Sequence, residues 1–553
     1  MDTQRLILLV IFSFSLLMLW EAWEKDKRPK PAPAAPAAQQ SVPAPAAQSP
    51  PPPAADTPAK PAAPAVPAAA AGAKGETVRV TTDLLVAEID TLGGTLKRLE
   101  LLKHKDSADP TRNFVLFGPE HHYEAQSGIT SEGGPNHLSL WSASARQVTL
   151  EPGRDSVELR LSAAGRDGVS VDKVYTFKRD SYVIDLALEV HNRGKDNLTP
   201  YGYFQLTHDG KPTSNVNSVA ATFGAQSFTG FAIYTAEKAF EKVHPGDLDK
   251  AKFERRAESG WLGFVQHYFV SAWIPPDKMV RDYGALKRND GLYAGNVVLQ
   301  PGAIAPGASA QVKLSLYAGP QEQRRLQGAA PGLDLVVDYG FLAIIAWPLF
   351  WLLEKFHALS GNWGVAIILL TVMIKLVFFP LSAASYKSMA KMKLVTPRLT
   401  KLREMYGHDR NKMNQAMMEL YKTEKINPLG GCFPILVQIP VFIALYWVLL
   451  AAIELRHAPF ILWIKDLSAL DPYYVLPILM TCTMILQTRM NPVPPDPVQA
   501  RVMQFMPYVF SIFFFFFPAG LVLYWLVNNI LSIAQQWQIQ RMFQRDKPAH
   551  AKR

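Results

Sequence analysis

Cysteine is nearly absent: 553 residues hold two, Cys432 and Cys482. Both stand in apolar C-terminal segments, so no disulfide framework holds the polar part of the chain. No Gly-x-x-x-x-Gly-Lys-Ser/Thr stretch occurs, which excludes the usual nucleotide-phosphate cradle. His121, His122, His191, His208 and His267 are scattered without metal-ligand spacing, and no nucleophile motif accompanies them. They read as satisfied surface or core histidines, and neither a metal, a cofactor nor enzymatic catalysis is expected. Acidic charge is missing from the apolar runs of the last third: none carries Asp or Glu in mid-span, and Glu454 stands at an end.

What is present is unevenly arranged. An apolar stretch, Leu6 to Trp20, is too long for a usual signal-peptide core and lacks a small-residue cleavage site directly after it, so 1–24 reads as an uncleaved membrane anchor. Residues 25–75 form a linker; 29–75 hold 14 of the 43 prolines, interleaved with alanine. Such a tract buries no core and extends as polyproline II, reaching about 140 Å at full stretch. From 76 to 320 apolar and polar positions alternate, as in Thr77-Val-Arg-Val-Thr and Tyr182-Val-Ile-Asp-Leu-Ala-Leu-Glu-Val, with turns such as Asp209-Gly210 between them. This predicts an all-β sandwich domain.

The last third predicts a polytopic α-helical membrane protein. Five apolar candidates lie near 363–384, 432–453, 473–489, 502–518 and 519–537. Between Tyr386 and Asn427 stand ten Lys/Arg against four Asp/Glu, and 541–553 form a second basic segment. Basic loops stay on the cytoplasmic side. A further apolar stretch, within 321–361, would put 386–427 on the side of the β domain if it spanned. It is therefore expected to lie along the outer interface as an amphipathic helix. The result is six transmembrane helices, a five-helix core over 362–540, both termini cytoplasmic and the β domain periplasmic. Within 386–427, Met392, Val395, Leu399, Leu402 and Tyr406 recur at helical steps, and Met413, Met417, Leu420 and Tyr421 follow. Two helices in an antiparallel hairpin are expected, with Asp409 as N-cap of the second. Its methionines suit either adaptable contacts with varied apolar ligands or filling between the helices.

Lys375 is the most informative residue. It sits inside Ala366-Ile-Ile-Leu-Leu-Thr-Val-Met-Ile-Lys-Leu-Val-Phe-Phe-Pro380. A charge at membrane depth costs ~3 kcal/mol or more, and such residues usually face a wet cavity or a bundle interior. Snorkelling is the plain alternative, but Ser385 lies ten residues on, about 15 Å at helical rise, far for one side chain. Thr371 shares its helix face at i, i+4. Tyr524, Asn528, Ser532 and Gln535 form a stripe on the last span, with Gln438 and Gln487 on others. Together they make one hydrophilic concavity, or else ordinary interhelical hydrogen bonds. A secondary transporter using Lys375 as substrate or proton site is the alternative function, against which stand the lack of an inverted repeat and the small number of spans.

Gly361-Asn-Trp-Gly364, Phe379-Pro-Leu381, Ser388-Met-Ala-Lys-Met392, Asn427-Pro-Leu-Gly-Gly-Cys-Phe-Pro434, Asp466-Leu-Ser468, Asp471-Pro-Tyr-Tyr-Val-Leu-Pro477 and Gly520-Leu-Val-Leu-Tyr524 occur in this order across 333–540. This part resembles the YidC membrane protein insertase family, in the Gram-negative form with a large periplasmic domain. The resemblance implies five helices around a groove open to cytoplasm and lipid and closed outward. A positive residue there attracts hydrophilic parts of an incoming chain, whose apolar segment leaves along the third and fifth spans. Ile439, Pro440, Met506 and Phe510 fall on that path. The implied partners are nascent membrane-protein clients, the Sec translocon, the ribosome (through the basic hairpin and tail) and membrane lipids. The family usually carries arginine at the place of Lys375; lysine keeps the charge without the bidentate fork.

Overall fold

The computed structural model describes residues 74–131, 133–212, 228–406, 409–424, 433–491 and 497–545. The expected anchor, nearly all of the linker, the end of the hairpin at 425–432 and the tail beyond 545 lie outside the described residues.

The strands run from Thr77 to Pro320 in two sheets, of ten and nine strands. Alternation sets their faces: Ser156–Ala164 turns Leu159, Leu161 and Ala163 inward and leaves the residues between them exposed. Val183–Asn192 is central, paired antiparallel with Val169–Lys178 on one side and Ser309–Pro320 on the other. The layers meet through aromatic residues. Phe204 of one sheet meets Trp273 of the other edge to face at 5.3 Å, and the Tyr123 hydroxyl donates to Ser271 Oγ at 2.7 Å.

Eight helices of more than eight residues follow among the described residues: α1 (Ala343–Ser360), α2 (Trp363–Val377), α3 (Phe379–Tyr406), α4 (Arg410–Thr423), α5 (Phe433–Ala451), α6 (Val475–Met490), α7 (Pro497–Phe514) and α8 (Ala519–Arg545). Their junctions explain the short motifs. Gly361 closes α1 at φ +67° with its amide on His357 O, a conformation that favours glycine. Asn362 caps α2 by accepting from Val365 N, and its amide donates to Phe460 O in the α5–α6 loop. A Cβ on Gly364 would sit 2.0 Å from the Phe460 ring, so this close approach needs glycine. Asp471 accepts from Trp463 Nε1, Tyr473 N and Leu476 N, tying the same loop to the start of α6. Ala519 N and Gly520 N, at the start of α8, bond to Ala469 O and Leu467 O of that loop. The orphan amides of the helix start are thus satisfied by the α5–α6 loop.

Two expectations change. The span expected at 363–384 breaks at Phe378: α2 and α3 meet at a 66° bend. Pro380 falls in the first turn of α3, where its missing N–H is harmless, whereas in a continuous helix it would clash with the preceding turn. The stretch expected to be amphipathic, α1, has no polar exposed face: Ile344, Trp351 and Leu359 are exposed, and Lys355 alone interrupts them. Its polar groups instead gather near its C-terminal end, where Glu354 pairs with Arg324 at 3.3 Å. With the turn before it, Gly340–Ser360 is the one single helix among the described residues long and apolar enough to cross a membrane; the bent α2–α3 pair passes only as a unit.

The hairpin forms as α3 against α4. Asp409 accepts from Asn411 N and Lys412 N, as an N-cap should. Val395 and Leu399 are buried between the helices with Met392, Met417, Leu420 and Tyr421 around them. Met405 and Met418 are exposed instead.

Candidate functional site

Helices α2, α3, α5, α6 and α8 enclose a cavity of about 280 Å³. Lys375 enters it from α2, Gln438, Ile439 and Phe442 from α5, and Gln487 from α6, with Asn491 just beyond. Tyr524, Asn528, Asn529 and Ser532 line it from α8. The 66° bend turns α3 back across the mouth, adding Ser382, Ser385, Tyr386 and Met389.

Lys375 is the only charged residue of this lining among the described residues. Its ammonium donates to Ser532 Oγ at 2.7 Å, and Ser532 Oγ donates in turn to Asn528 O at 2.7 Å. Gln438 Nε2 donates to Asn528 Oδ1 at 3.3 Å, so α2, α5 and α8 share one polar network. An ammonium has three donors. One is met among the described residues, and the cavity leaves room for water or a client group at the others. Amides and hydroxyls surround a cation that no carboxylate of the lining neutralises.

The expected residues divide. Lys375, Gln438, Tyr524, Asn528 and Ser532 line the cavity, as does Gln487. Thr371 and Gln535 do not. Thr371 is only 1 % exposed, and its hydroxyl donates to Ile367 O of its own helix. It shares the face of Lys375 but is too short to emerge from the packing of α2 on α8. Gln535 is buried outside the lining, its side-chain amide without a partner among the described residues. Of the apolar path, Ile439 lies at the cavity edge and is 44 % exposed, with Pro440 beside it in α5. Met506 and Phe510 stand on an exposed apolar face of α7 with Phe505 and Val509. Toward the N-terminal end of α8 aromatic packing closes the gap: Trp525 stacks on Phe442 at 4.9 Å and meets Phe514 edge-on at 4.2 Å, while Tyr446 meets Phe517 at 6.1 Å.

Sequence reasoning missed Ser382, Ser385, Tyr386 and Met389 because they belong to the helix after the bend. Pro380 was the available signal. Asn529 was passed over because it stands 100° around α8 from Asn528.

In the β domain, His121, His208 and Asp209 come within 4.8 Å of one another. Protein groups already engage them: His121 Nδ1 bonds Asp209 at 3.2 Å, His208 Nδ1 accepts from Gly210 N, and burial holds His208 far below the usual histidine range, at about 3. Asp172 and Glu189, gathered near His191, both pair with Arg160.

Residues 355–547 match the family model described as 60Kd inner membrane protein, and 77–352 match the model of the YidC periplasmic domain. The membrane protein insertase YidC of Methylobacillus flagellatus is 52 % identical over 99 % of this chain and 98 % of its own. The chain belongs to the YidC family. The membrane protein insertase YidC of Nitrosospira multiformis is 51 % identical over 98 % of each chain. A crystal structure of an active YidC insertase with its first transmembrane domain resolved aligns over 84 % of this chain and 94 % of that one, at 17 % identity and a TM-score of 0.38. YidC proteins are inner-membrane insertases with a periplasmic domain, and nothing in these relatives supports the transporter reading.

Proposed function

We propose that this chain inserts client proteins into the inner membrane by drawing their hydrophilic segments into the cavity around Lys375, and that it acts as an insertase, not as an enzyme. The observation that carries this is the lone, un-neutralised ammonium in a polar cavity of about 280 Å³. A polar loop crossing about 30 Å of hydrocarbon pays heavily for lost hydration. A wet cationic pocket partway through shortens that path, and burial of the client's apolar segment supplies the driving force. Lys375, Gln438, Tyr524, Asn528 and Ser532 hold the hydrophilic part. Ile439, Pro440, Met506 and Phe510 guide the apolar part toward lipid between α5 and α7.

The ten-to-four basic excess of 386–427 supports a cytoplasmic hairpin and hence six spans, with α1 on the outer side of the membrane and both termini inside. The apolar exposed face of α1 then rests in the lipid interface. The basic hairpin and tail receive clients or their ribosome, the core works alone or beside the Sec translocon, and the linker tethers the β domain to the anchor. Two experiments test this. Stalled nascent chains should crosslink to probes at 439, 506 and 528; labelling only at the hairpin would refute entry into the groove. Single cysteines at 400 and 548 should be shielded from an impermeant thiol reagent in intact cells, and those at 200 and 467 labelled. Labelling at 400 would overturn the topology.

A further inference from the structure

Lys375 is held at the cavity wall by a partner on the neighbouring helix. Its ammonium reaches from α2 to Ser532 Oγ on α8 at 2.7 Å, and Ser532 passes that bond to Asn528 O. Ser532 is 3 % exposed, Lys375 9 %, so this is a buried contact on the cavity wall and not a solvated pair. We propose that Ser532 is the resting partner of Lys375 and the specificity-determining residue that keeps the groove selective for acidic client segments. The proposal rests on the groove reading above.

The chemistry follows from the donor set. A neutral hydroxyl satisfies one N–H of the ammonium and leaves its charge unspent, whereas a carboxylate adds the attraction of an opposite charge to the same hydrogen bond. A client carboxylate therefore displaces Ser532 readily. The freed serine keeps its own bond to Asn528 O, so α8 loses nothing when the lysine leaves. A carboxylate at 532 would instead satisfy Lys375 permanently. The other lining groups near this pair, Gln438, Asn528 and Tyr386, are uncharged and cannot take that role.

The test uses the purified full chain in liposomes and two single-span clients. One carries three aspartates in its translocated tail and the other three asparagines. The readout is the ratio of acidic to neutral client inserted, which a merely structural defect would not move. Ser532→Asp should lower the ratio at least about fivefold, roughly 1 kcal/mol. Should that variant fail to accumulate, the swap Lys375→Ser with Ser532→Lys, which moves the cation to α8, should restore the ratio to within about threefold of wild type. An unchanged ratio in Ser532→Asp, with Lys375→Leu collapsing it, overturns the role of Ser532 and leaves the groove reading standing. Unchanged ratios in both variants overturn the groove reading too. A swap variant that reaches the membrane yet makes no distinction between the clients also overturns the proposal.

Discussion

Lys173 in the β domain and Lys375 in the helical region are both buried lysines with no carboxylate partner among the described residues. Lys173 donates to Gly93 O, Gly94 O and Ser127 O, at 2.7, 3.2 and 3.1 Å, and lies 4.6 Å from the centre of the Trp141 ring. Every donor is used, and the side chain is wholly buried; burial pushes its pKa down to about 7. Lys375 has one hydroxyl partner and a cavity. The first lysine fastens a turn to a strand. The second is left available. Burial is common to both; what differs is the number of donors met among the described residues.

The largest expected effect lies in the outer domain. Lys173→Met removes the ammonium donor from three buried carbonyls, of which Gly94 O keeps the Tyr175 hydroxyl, and should destabilise the β domain by about 3 kcal/mol. A urea series with limited proteolysis of the full chain would measure it, and an unshifted midpoint would erase the contrast between the lysines. Next is acid. His104 and His267 are both held near 4 by burial, with Arg456 adding repulsion. Free histidine titrates near 6.5, so the unfolded domain takes up protons first. The stability these groups preserve is whole above about 6.5 and is lost as pH falls toward 4. The same urea midpoint should drop across that window and flatten when both become asparagine. Smaller again is removal of about 80–310 with the chain kept from Asp334. Insertion should fall by less than about threefold; complete loss with normal protein levels would give the outer domain a direct part in insertion. Smallest is Lys375→Arg, within about twofold, because the charge stays in the groove.

Much of this was legible beforehand, for reasons particular residues make plain. Strand alternation such as Leu159, Leu161 and Ala163 follows from a period of two, and a sandwich buries one face. The stripe of Tyr524, Asn528 and Ser532 lies on one helix face, and the cavity lies on that face. Periodicity gives direction but not depth, which is why Thr371 and Gln535 were placed in the groove and are packed away from it. It also stops at a bend: the 66° turn at Phe378 brings Tyr386 and Met389 beside Lys375, and no spacing rule connects residues across it. The faces of α1 depend on what it packs against, here α2 and α5, and its own pattern does not reveal that.

The availability of Lys375 is tested most directly by Lys375→Leu in full-chain proteoliposomes, scored for insertion of a client with an acidic translocated tail. Removing a charge from the membrane favours the fold, so loss of function there cannot be ascribed to instability. Insertion should fall at least about tenfold while the protein remains folded. A leucine variant that inserts this client at the wild-type rate would contradict the claim that Lys375 works in the groove.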